Sequence, residues 1–469
     1  RPAPPREGTA LGRHSLGGAA PAPAPATAPG PAGPPRRVRA WRRALLAALA
    51  LAAAATLAGL VLLWPRGAAP AAEPGFTGSQ NISAEAVAGR VLRVDRGPCG
   101  SPDSGAVFDG DPAPAAAPGF RADPRPMAPP PGATPAPGVD PAPAPPAPGR
   151  GPAAPECEAA VVALTAGPDA GRRTLLETSG RAGDPDLAAG DEIVLALRPD
   201  PGGNRYGFLD IARGPAMWAW LAATAVGIIV IGAWRGVRAV LGLGLTLAVV
   251  GLFLVPALLR GGPPVALATV TGAAAMIPVM LLVHGVNWKT GAALGGTLFS
   301  LSAAAGLAHA AIGTADVRGL ADDSNLLIQL YLPTVSVTGL LLAGFIVGAL
   351  GALNDATIAQ ASTVTELAEA DPAAGPWRLF AAAMRVGRDH IASMVYTLLL
   401  AYVGASLPMT LLLSVADRPL TQVLTSDLVA TELLRSVVGA LALTLAVPVT
   451  TAIAALTAHG GRAATAPAR

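Results

Sequence analysis

The polar pair Asn354-Asp355 lies at the end of an apolar run, where an ionisable side chain could bind a cation or a proton. It directly follows an apolar run, 333–353, that is long enough to cross a lipid bilayer. A carboxylate at membrane depth is costly and marks a pathway for ions or protons. On a helix continuing from this run, Asp355 and Glu366 fall on one face. We predict a cation or proton site centred on Asn354 and Asp355, with Glu366 on the same face. The alternative is that the pair ends a span and the following helix is solvated.

A second group of charged and titratable residues, Arg385, Arg388, Asp389 and His390, precedes another apolar run, 391–415. On a helix, Arg385 and Asp389 are one turn apart and can pair, although an exposed pair contributes well under about 1 kcal/mol. His390 adds an imidazole, the side chain that proteins most often use to transfer protons. Two interpretations stay open. These charges only set the orientation of the chain, or an arginine pairs with an acidic side chain of the first site and closes a gate.

The histidines are the remaining candidates for proton chemistry. His309 lies inside an apolar run and is the better candidate for a proton-handling residue, whereas His284 stands at a span boundary, where histidine is usually interfacial. With five histidines and two cysteines, a transition-metal cage is improbable, and no cofactor is expected. The chain has no glycine-rich phosphate loop, HExxH or Ser/His/Asp arrangement, so an enzyme is the weaker class of function.

The only two cysteines, Cys99 and Cys157, bracket a stretch rich in Pro, Ala and Gly, 101–155. If this stretch loops out between neighbouring strands, its ends are close and the thiols can form a disulfide. Such a bond forms only on the oxidising side of a membrane. Two unpaired thiols are the alternative.

The elements that position these residues are mainly apolar helices. Hydrophobic residues make up 52% of the chain and charged residues 13%, about half the charge of a soluble domain. Arginines cluster beside the apolar runs, which favours a membrane surface over nucleic acid as their partner. Eight transmembrane helices are predicted, at 44–64, 216–234, 239–259, 264–284, 291–312, 333–353, 391–415 and 434–457. Pro278 and Pro408 lie mid-span and are expected to kink their helices.

Between the first and second helices, short β-branched alternations separated by turn residues predict a small β-rich extracytoplasmic domain, a barrel or a sandwich. Its strands are expected near 86–97, 158–167, 172–180, 191–200 and 203–214. The predicted organisation is a disordered cytoplasmic tail (1–43), an uncleaved anchor (44–64), the β-rich domain (65–213) with its Pro-rich insertion (101–155), a seven-span membrane domain (214–460) and a cytoplasmic tail (461–469).

Five arginines, at 36, 37, 39, 42 and 43, precede the first apolar run and place the N-terminus in the cytoplasm by the positive-inside rule. Eight spans then put the C-terminus on the same side. The connections that hold Arg235, Lys289 and Arg385 become cytoplasmic, and the β-rich domain becomes extracytoplasmic.

Three segments give the chain a resemblance to a known family. GALGALNDATIAQASTVTELAEADP (348–372), HGVNWKTGAALGGTLFS (284–300) and MRVGRDHIASMVYTLLLAYVGASLP (384–408) resemble the YibE/F-like bacterial membrane proteins. The resemblance covers about residues 80–460. It implies an anchor, a small β-rich extracytoplasmic domain and a multi-span region, and it carries no activity.

Two functions follow as hypotheses. The first is a transporter or channel for a small solute or ion in the bacterial plasma membrane, motivated by the clustered spans, the prolines and the polar residues at the cytoplasmic ends. The second is a scaffold or sensor whose extracytoplasmic domain binds a protein partner. The lipid bilayer is a partner in both.

Overall fold

The computed structural model describes residues 35–68, 84–112, 156–180, 183–320, 322–415 and 418–458. Most of both predicted tails and of the Pro-rich insertion lies outside these ranges. The domain boundaries therefore stay predictions.

The β-rich part is one antiparallel sheet in the strand order β2-β4-β3-β1-β5-β6. Its strands are β1 (Glu85–Pro98), β2 (Val107–Phe108), β3 (Glu156–Leu164), β4 (Arg173–Thr178), β5 (Glu192–Asp200) and β6 (Gly203–Ile211). Alternate side chains, including Val91, Val162 and Leu195, form its buried core, as expected for strands with one face packed inward.

Gly105 brings the two edges of the sheet together. Its N–H donates to the Leu175 carbonyl on β4 (2.7 Å), and its carbonyl accepts from the N–H of Tyr206 on β6 (2.8 Å). The residue has φ +80°, and a Cβ there would lie 2.7 Å from the Tyr206 carbonyl oxygen. Glycine is therefore required at this point, where the chain links β4 to β6 and the sheet curls on itself; we call this β-rich part the barrel for short.

The rest of the described chain is helical. Its helices are α1 (Arg36–Leu62), α2 (Gly214–Leu259, with a π-helical turn at Val250–Leu254), α3 (Pro264–His284), α4 (Trp288–Ala315), α5 (Asp323–Tyr331), α6 (Val337–Ala370), α7 (Pro376–Ala405), α8 (Leu407–Val415), α9 (Leu420–Leu424) and α10 (Asp427–Thr457). Among the described residues, six helices are long and apolar enough to cross a membrane, or seven if α7 and α8 form one bent span.

The expected count of eight spans depends on α2, which is 46 residues long. Its backbone leaves the helical region at Ala233 (φ 48°, ψ −132°). The close approach of Gly236 to Ile228, eight residues earlier, shows that the chain folds back there: a Cβ on Gly236 would lie 2.2 Å from the Ile228 carbonyl oxygen. In an unbroken helix these residues would be about 12 Å apart. The count of eight spans requires each half of α2 to cross the membrane separately, and it stays a prediction.

Several elements differ from their expected bounds, among them α1, which begins at Arg36 where the predicted anchor began at residue 44. The predicted span 391–415 is two helices, α7 and α8, which meet at a bend of 63° beside Pro408. Helix α7 begins at Pro376, fifteen residues earlier than the predicted span, because the amphipathic stretch before it is also helical. Helix α5 lies between the predicted spans 291–312 and 333–353, where no helix was predicted, and the Asp322 side chain caps its first N–H groups. Helix α3 includes Pro278 and is continuous.

Helices α4, α6 and α10 pack together at the centre of the bundle, flanked by α3 and α7. Small buried residues line their contacts, such as Ala304 on α4, Ala349 on α6 and Ala442 on α10. Small side chains let helix backbones approach closely, as in membrane bundles.

Contacts at the two ends of the bundle show which helix ends lie on the same side. At one end, Arg42 donates to the Thr457 carbonyl (2.9 Å), and its guanidinium lies 4.5 Å from the ring centroid of Trp288. At the other end, Arg260 donates to the Gly67 carbonyl (2.9 Å). The start of α1 and the end of α10 therefore lie at the same end of the bundle.

Candidate functional site

Asn354 and Asp355 lie inside α6, which continues for fifteen residues beyond Asp355. Asn354 is half-buried, and its side-chain Oδ1 is buried with no hydrogen-bond partner. Asp355 is exposed and close enough to His284 to interact with it electrostatically. The Asn354 amide also donates to the Asp355 carboxylate (3.4 Å), so the two side chains are adjacent and Asn354 is the more buried of the two.

One turn beyond Asn354, a buried hydroxyl pair joins α6 to α4. The Oγ1 atoms of Thr357 and Thr297 are 2.7 Å apart, and both side chains are fully buried. Thr357 also donates to the Asn354 carbonyl (3.0 Å). Polar side chains thus extend from Asn354 into the contact between the two central helices.

A second pair of hydroxyls lies between α4 and α10. Ser300 and Thr450 are fully buried, and neither hydroxyl has a hydrogen-bond partner. A Cβ on Gly296, one turn before Ser300, would lie 1.8 Å from the Thr450 Oγ1. Serine and threonine inside helices commonly donate to their own helix, as Thr451 does to Val447 (2.6 Å). The Ser300 and Thr450 hydroxyls are therefore unusual, since a buried polar group without a partner is destabilising.

Gln360 extends the same polar region to α7. Its side-chain amide is buried and donates to the Ala383 carbonyl (2.9 Å), and a Cβ on Gly387 would lie 2.9 Å from the amide nitrogen. His390, one turn beyond Gly387, is half-buried, and its Nε2 is buried with no partner. We call six residues on the central helices the polar layer: Thr297, Ser300, Asn354, Thr357, Gln360 and Thr450.

The remaining predicted residues are separate from the polar layer. Glu366, Arg385 and Asp389 are exposed. Among the described residues none of these three forms an ion pair, and Arg385 instead donates to the Ala381 carbonyl of its own helix (3.5 Å). His309 is exposed on α4. The gate hypothesis requires an arginine to pair with an acidic residue of the first site, and among the described residues neither Arg385 nor Arg388 forms such a pair.

A charged pair on α10, at the start of the predicted span 434–457, was missed by sequence reasoning. Arg435 donates to both carboxylate oxygens of Glu432 (2.8 and 2.9 Å). Its guanidinium lies 5.5 Å from the ring centroid of Phe345 and 5.9 Å from that of Tyr402. Cation–π contacts of this kind stabilise a partly buried arginine. The i, i+3 spacing of Glu432 and Arg435 was a signal that could have identified the pair.

The barrel carries a polar cluster of its own around Asp169. Hydrogen bonds from Asn204 (2.7 Å), Tyr206 (2.9 Å) and Arg172 (3.2 Å), the first being the strongest influence, hold the pKa of Asp169 below its usual value. Burial and the neighbouring Asp169 carboxylate raise the pKa of Tyr206 to about 12. The cluster borders a surface cavity of about 290 Å³.

Cys99 and Cys157 form a disulfide with Cα atoms 5.0 Å apart. It joins the end of β1 to β3, where the residues on either side pair in the sheet. The Glu177 carboxylate lies beside the two sulfurs and accepts N–H bonds from Gly100 and Ser101. Because the disulfide uses both sulfurs, this group is not a metal site.

Comparison with known sequences places these helices in a family. The family described as YibE/F-like protein matches residues 220–460, just over half the chain. The chain belongs to the YibE/F-like family. The match runs from within α2 to the end of α10, includes the whole polar layer, and leaves α1 and the barrel outside. Searches of curated proteins and of solved structures found no match.

Proposed function

We propose that this YibE/F-like protein is an integral protein of the bacterial plasma membrane that moves a small solute or ion through its helical bundle. The observation that carries the proposal is the polar layer, and above all the partnerless Ser300 and Thr450 hydroxyls and Asn354 Oδ1. Within a bilayer an unsatisfied polar group costs several kcal/mol. A permeating ion, a solute or water would supply the missing partners.

The chemistry of the layer indicates the class of solute. Its members offer hydroxyl and amide oxygens and carry no formal charge. Such oxygens suit a small cation or a neutral hydrophilic molecule, whereas binding a dehydrated anion would need more donors. Asp355, exposed on α6 next to Asn354, would bind a cation locally, at the entrance to the polar layer.

Flux across proteoliposomes tests the pathway. The purified chain is reconstituted, and proton and sodium gradients are followed with ion-sensitive dyes. We expect the double variant Ser300→Ala/Thr450→Val, and separately Asp355→Asn, to lower the flux at least tenfold. Replacing two partnerless hydroxyls by apolar groups should leave folding intact.

A matched control is Thr444→Val, also on α10. Thr444 is exposed, and its hydroxyl donates to the Ala440 carbonyl of its own helix (2.8 Å). This variant should keep wild-type flux. Undiminished flux in Ser300→Ala/Thr450→Val would remove the polar layer from the pathway, and undiminished flux in Asp355→Asn would remove that carboxylate.

The proposal places both termini in the cytoplasm. The Arg42–Thr457 contact supports a common side for the two ends, and the arginines before α1 support the cytoplasmic assignment. A C-terminal alkaline phosphatase fusion, active only outside the inner membrane, should be inactive. Strong activity would reverse the orientation.

The second candidate function is a scaffold or sensor that binds a protein partner through the barrel. It is favoured by the polar cavity beside Asp169, whose lining includes Arg172 and Arg205. This function predicts that deleting residues 75–213 abolishes the cellular role, while the purified chain moves neither protons nor sodium.

A further inference from the structure

A cavity of about 490 Å³ lies where α2 folds back beside the ends of α3 and α4. Four basic side chains from three helices line it: Arg235 and Arg238 on α2, His284 at the end of α3, and Lys289 in the first turn of α4. Lys289 is the only lysine in the chain. The cavity is at the end of the bundle that holds Trp288 and the start of α1.

The sharp turn of α2 brings its two arginines to this place. Ala233 has a positive φ (48°), which is strained for alanine, and Gly236 is buried where any Cβ would meet the Ile228 carbonyl. Arg235 and Arg238 follow the turn directly. Strain of this kind persists only where the surrounding structure holds it, and here it positions two cations beside Lys289.

These cations are not neutralised by the protein. In the described part of the chain, neither Arg235, Arg238 nor Lys289 forms an ion pair or a side-chain hydrogen bond, and the Arg238 guanidinium lies 5.7 Å from the ring centroid of Trp234. The first turn of α4 adds the positive end of its helix dipole. Asp355 interacts electrostatically with His284 and offsets part of this positive charge. The local charge therefore remains positive and favours an anion.

The apolar part of the lining indicates which anion. Ile228, Ala239 and Val283 share the cavity with the basic residues, and Ile228 is partly exposed. An anion that carries a hydrocarbon chain can contact both the basic and the apolar side chains of the cavity. Basic pockets between membrane helices on the cytoplasmic side are suited to lipid head groups.

We propose that this cavity binds a phosphate group, and that an anionic phospholipid supplies it. Arg235 and Lys289 contact the phosphate oxygens, Arg238 closes the site from the side of Trp234, and the first methylenes of the lipid chains lie along Ile228 and Val283. Such a lipid would fasten the turn of α2 to the start of α4. The site is separate from the polar layer and does not depend on transport.

Native mass spectrometry of the full chain in mild detergent tests the proposal. The chain is mixed with phosphatidylglycerol or with zwitterionic phosphatidylcholine, and retained lipid is counted. We expect preferential retention of phosphatidylglycerol, reduced at least tenfold in Arg235→Gln/Lys289→Gln. The control Arg378→Gln/Arg388→Gln removes two exposed charges outside the cavity and should retain lipid as the wild type does. Equal retention in wild type and cavity variant would overturn the site.

Two further experiments are needed: the first identifies the source of the phosphate, and the second tests the site in the wild-type chain, where no variant can disturb folding. Added inorganic phosphate should not displace the lipid. Full displacement at millimolar phosphate would support the phosphate site and overturn the lipid as its source. Wild-type chain treated with a photoactivatable phosphatidylglycerol should crosslink within 228–239 or 283–289. Crosslinks confined to other segments would overturn the proposal without any variant.

Discussion

The contact between Gly296 on α4 and Thr450 on α10 allows a sharp test of how the bundle is packed. An alanine at position 296 would place its Cβ 1.8 Å from the Thr450 Oγ1, 2.8 Å from its Cβ and 3.2 Å from its Cα. Rotation of the threonine side chain can move the oxygen away. It cannot move the Cβ or the Cα, so the two helices must separate.

We expect Gly296→Ala to lower the free energy of unfolding by about 1–3 kcal/mol, the usual effect of overpacking a core. The upper part of this range applies, because a backbone atom is among the contacts. At roughly 2–4 °C per kcal/mol for a domain of this size, the apparent melting temperature should fall by about 4–12 °C. Fluorescence-detected size exclusion of the heated, detergent-solubilised chain measures this shift.

Gly306→Ala is the matched control, since Gly306 is on the same helix and a Cβ there would have no neighbour within 4 Å. This variant should be neutral or stabilising by up to about 1 kcal/mol, because alanine favours a helix. Thr450→Gly should partly rescue Gly296→Ala, and a double-mutant cycle gives the coupling. If Gly296→Ala is no more destabilising than Gly306→Ala, the α4–α10 packing that forms the polar layer is wrong.

Three other predictions concern the barrel and the turn of α2. The pKa of Tyr206 is raised from 10.0 to about 12. The protonated phenol therefore stabilises the fold fully below pH 10, and this stabilisation is lost as the pH rises toward 12. In thermal unfolding measured at a series of pH values, Tyr206→Phe should remove this alkaline loss of stability. Asp169, whose pKa is lowered, contributes above its unfolded-state pKa and loses that contribution in acid, so Asp169→Asn should flatten the acid side of the same curves. Ala233→Gly should raise the melting temperature, since glycine tolerates the positive φ, and an unchanged or lower value would contradict the break in α2.

The disulfide gives a further prediction. Replacing Cys99 and Cys157 by serine opens a link across 58 positions of the chain, worth about 4 kcal/mol in the chain-entropy model. Limited proteolysis should then cut the barrel at lower protease concentrations than in the wild type. Equal resistance would indicate that the barrel does not depend on this bond.

Local patterns were enough to predict most of the fold. Strand β5 lies where alternating residues between turn signals predicted a strand, and α3 has the bounds 264–284 expected from its apolar run. The start of α7 at Pro376 was missed, because an amphipathic stretch beside a span has the composition of a loop. The bend beside Pro408 was expected from the absent N–H of proline.

The candidate site was less predictable than the fold. Asn354 was identified from its position after an apolar run, but Ser300 and Thr450 were not. Serine and threonine are common in apolar helices and usually donate to their own backbone. Which hydroxyls lose that partner depends on how α4 and α10 pack, and two residues 150 positions apart carry no local signal of their contact.

Accessibility of Ser300 to water tests the central claim without knowledge of the solute. Because both native cysteines are in the disulfide, a single Ser300→Cys thiol can be labelled in intact vesicles with a charged methanethiosulfonate reagent. Ala293→Cys is the control: it is equally buried on the same helix and nearer the helix end. We predict rapid labelling at position 300 and none at 293, as a hydrophilic path through the polar layer requires. Failure of position 300 to react, or equal reaction at both positions, would contradict the account.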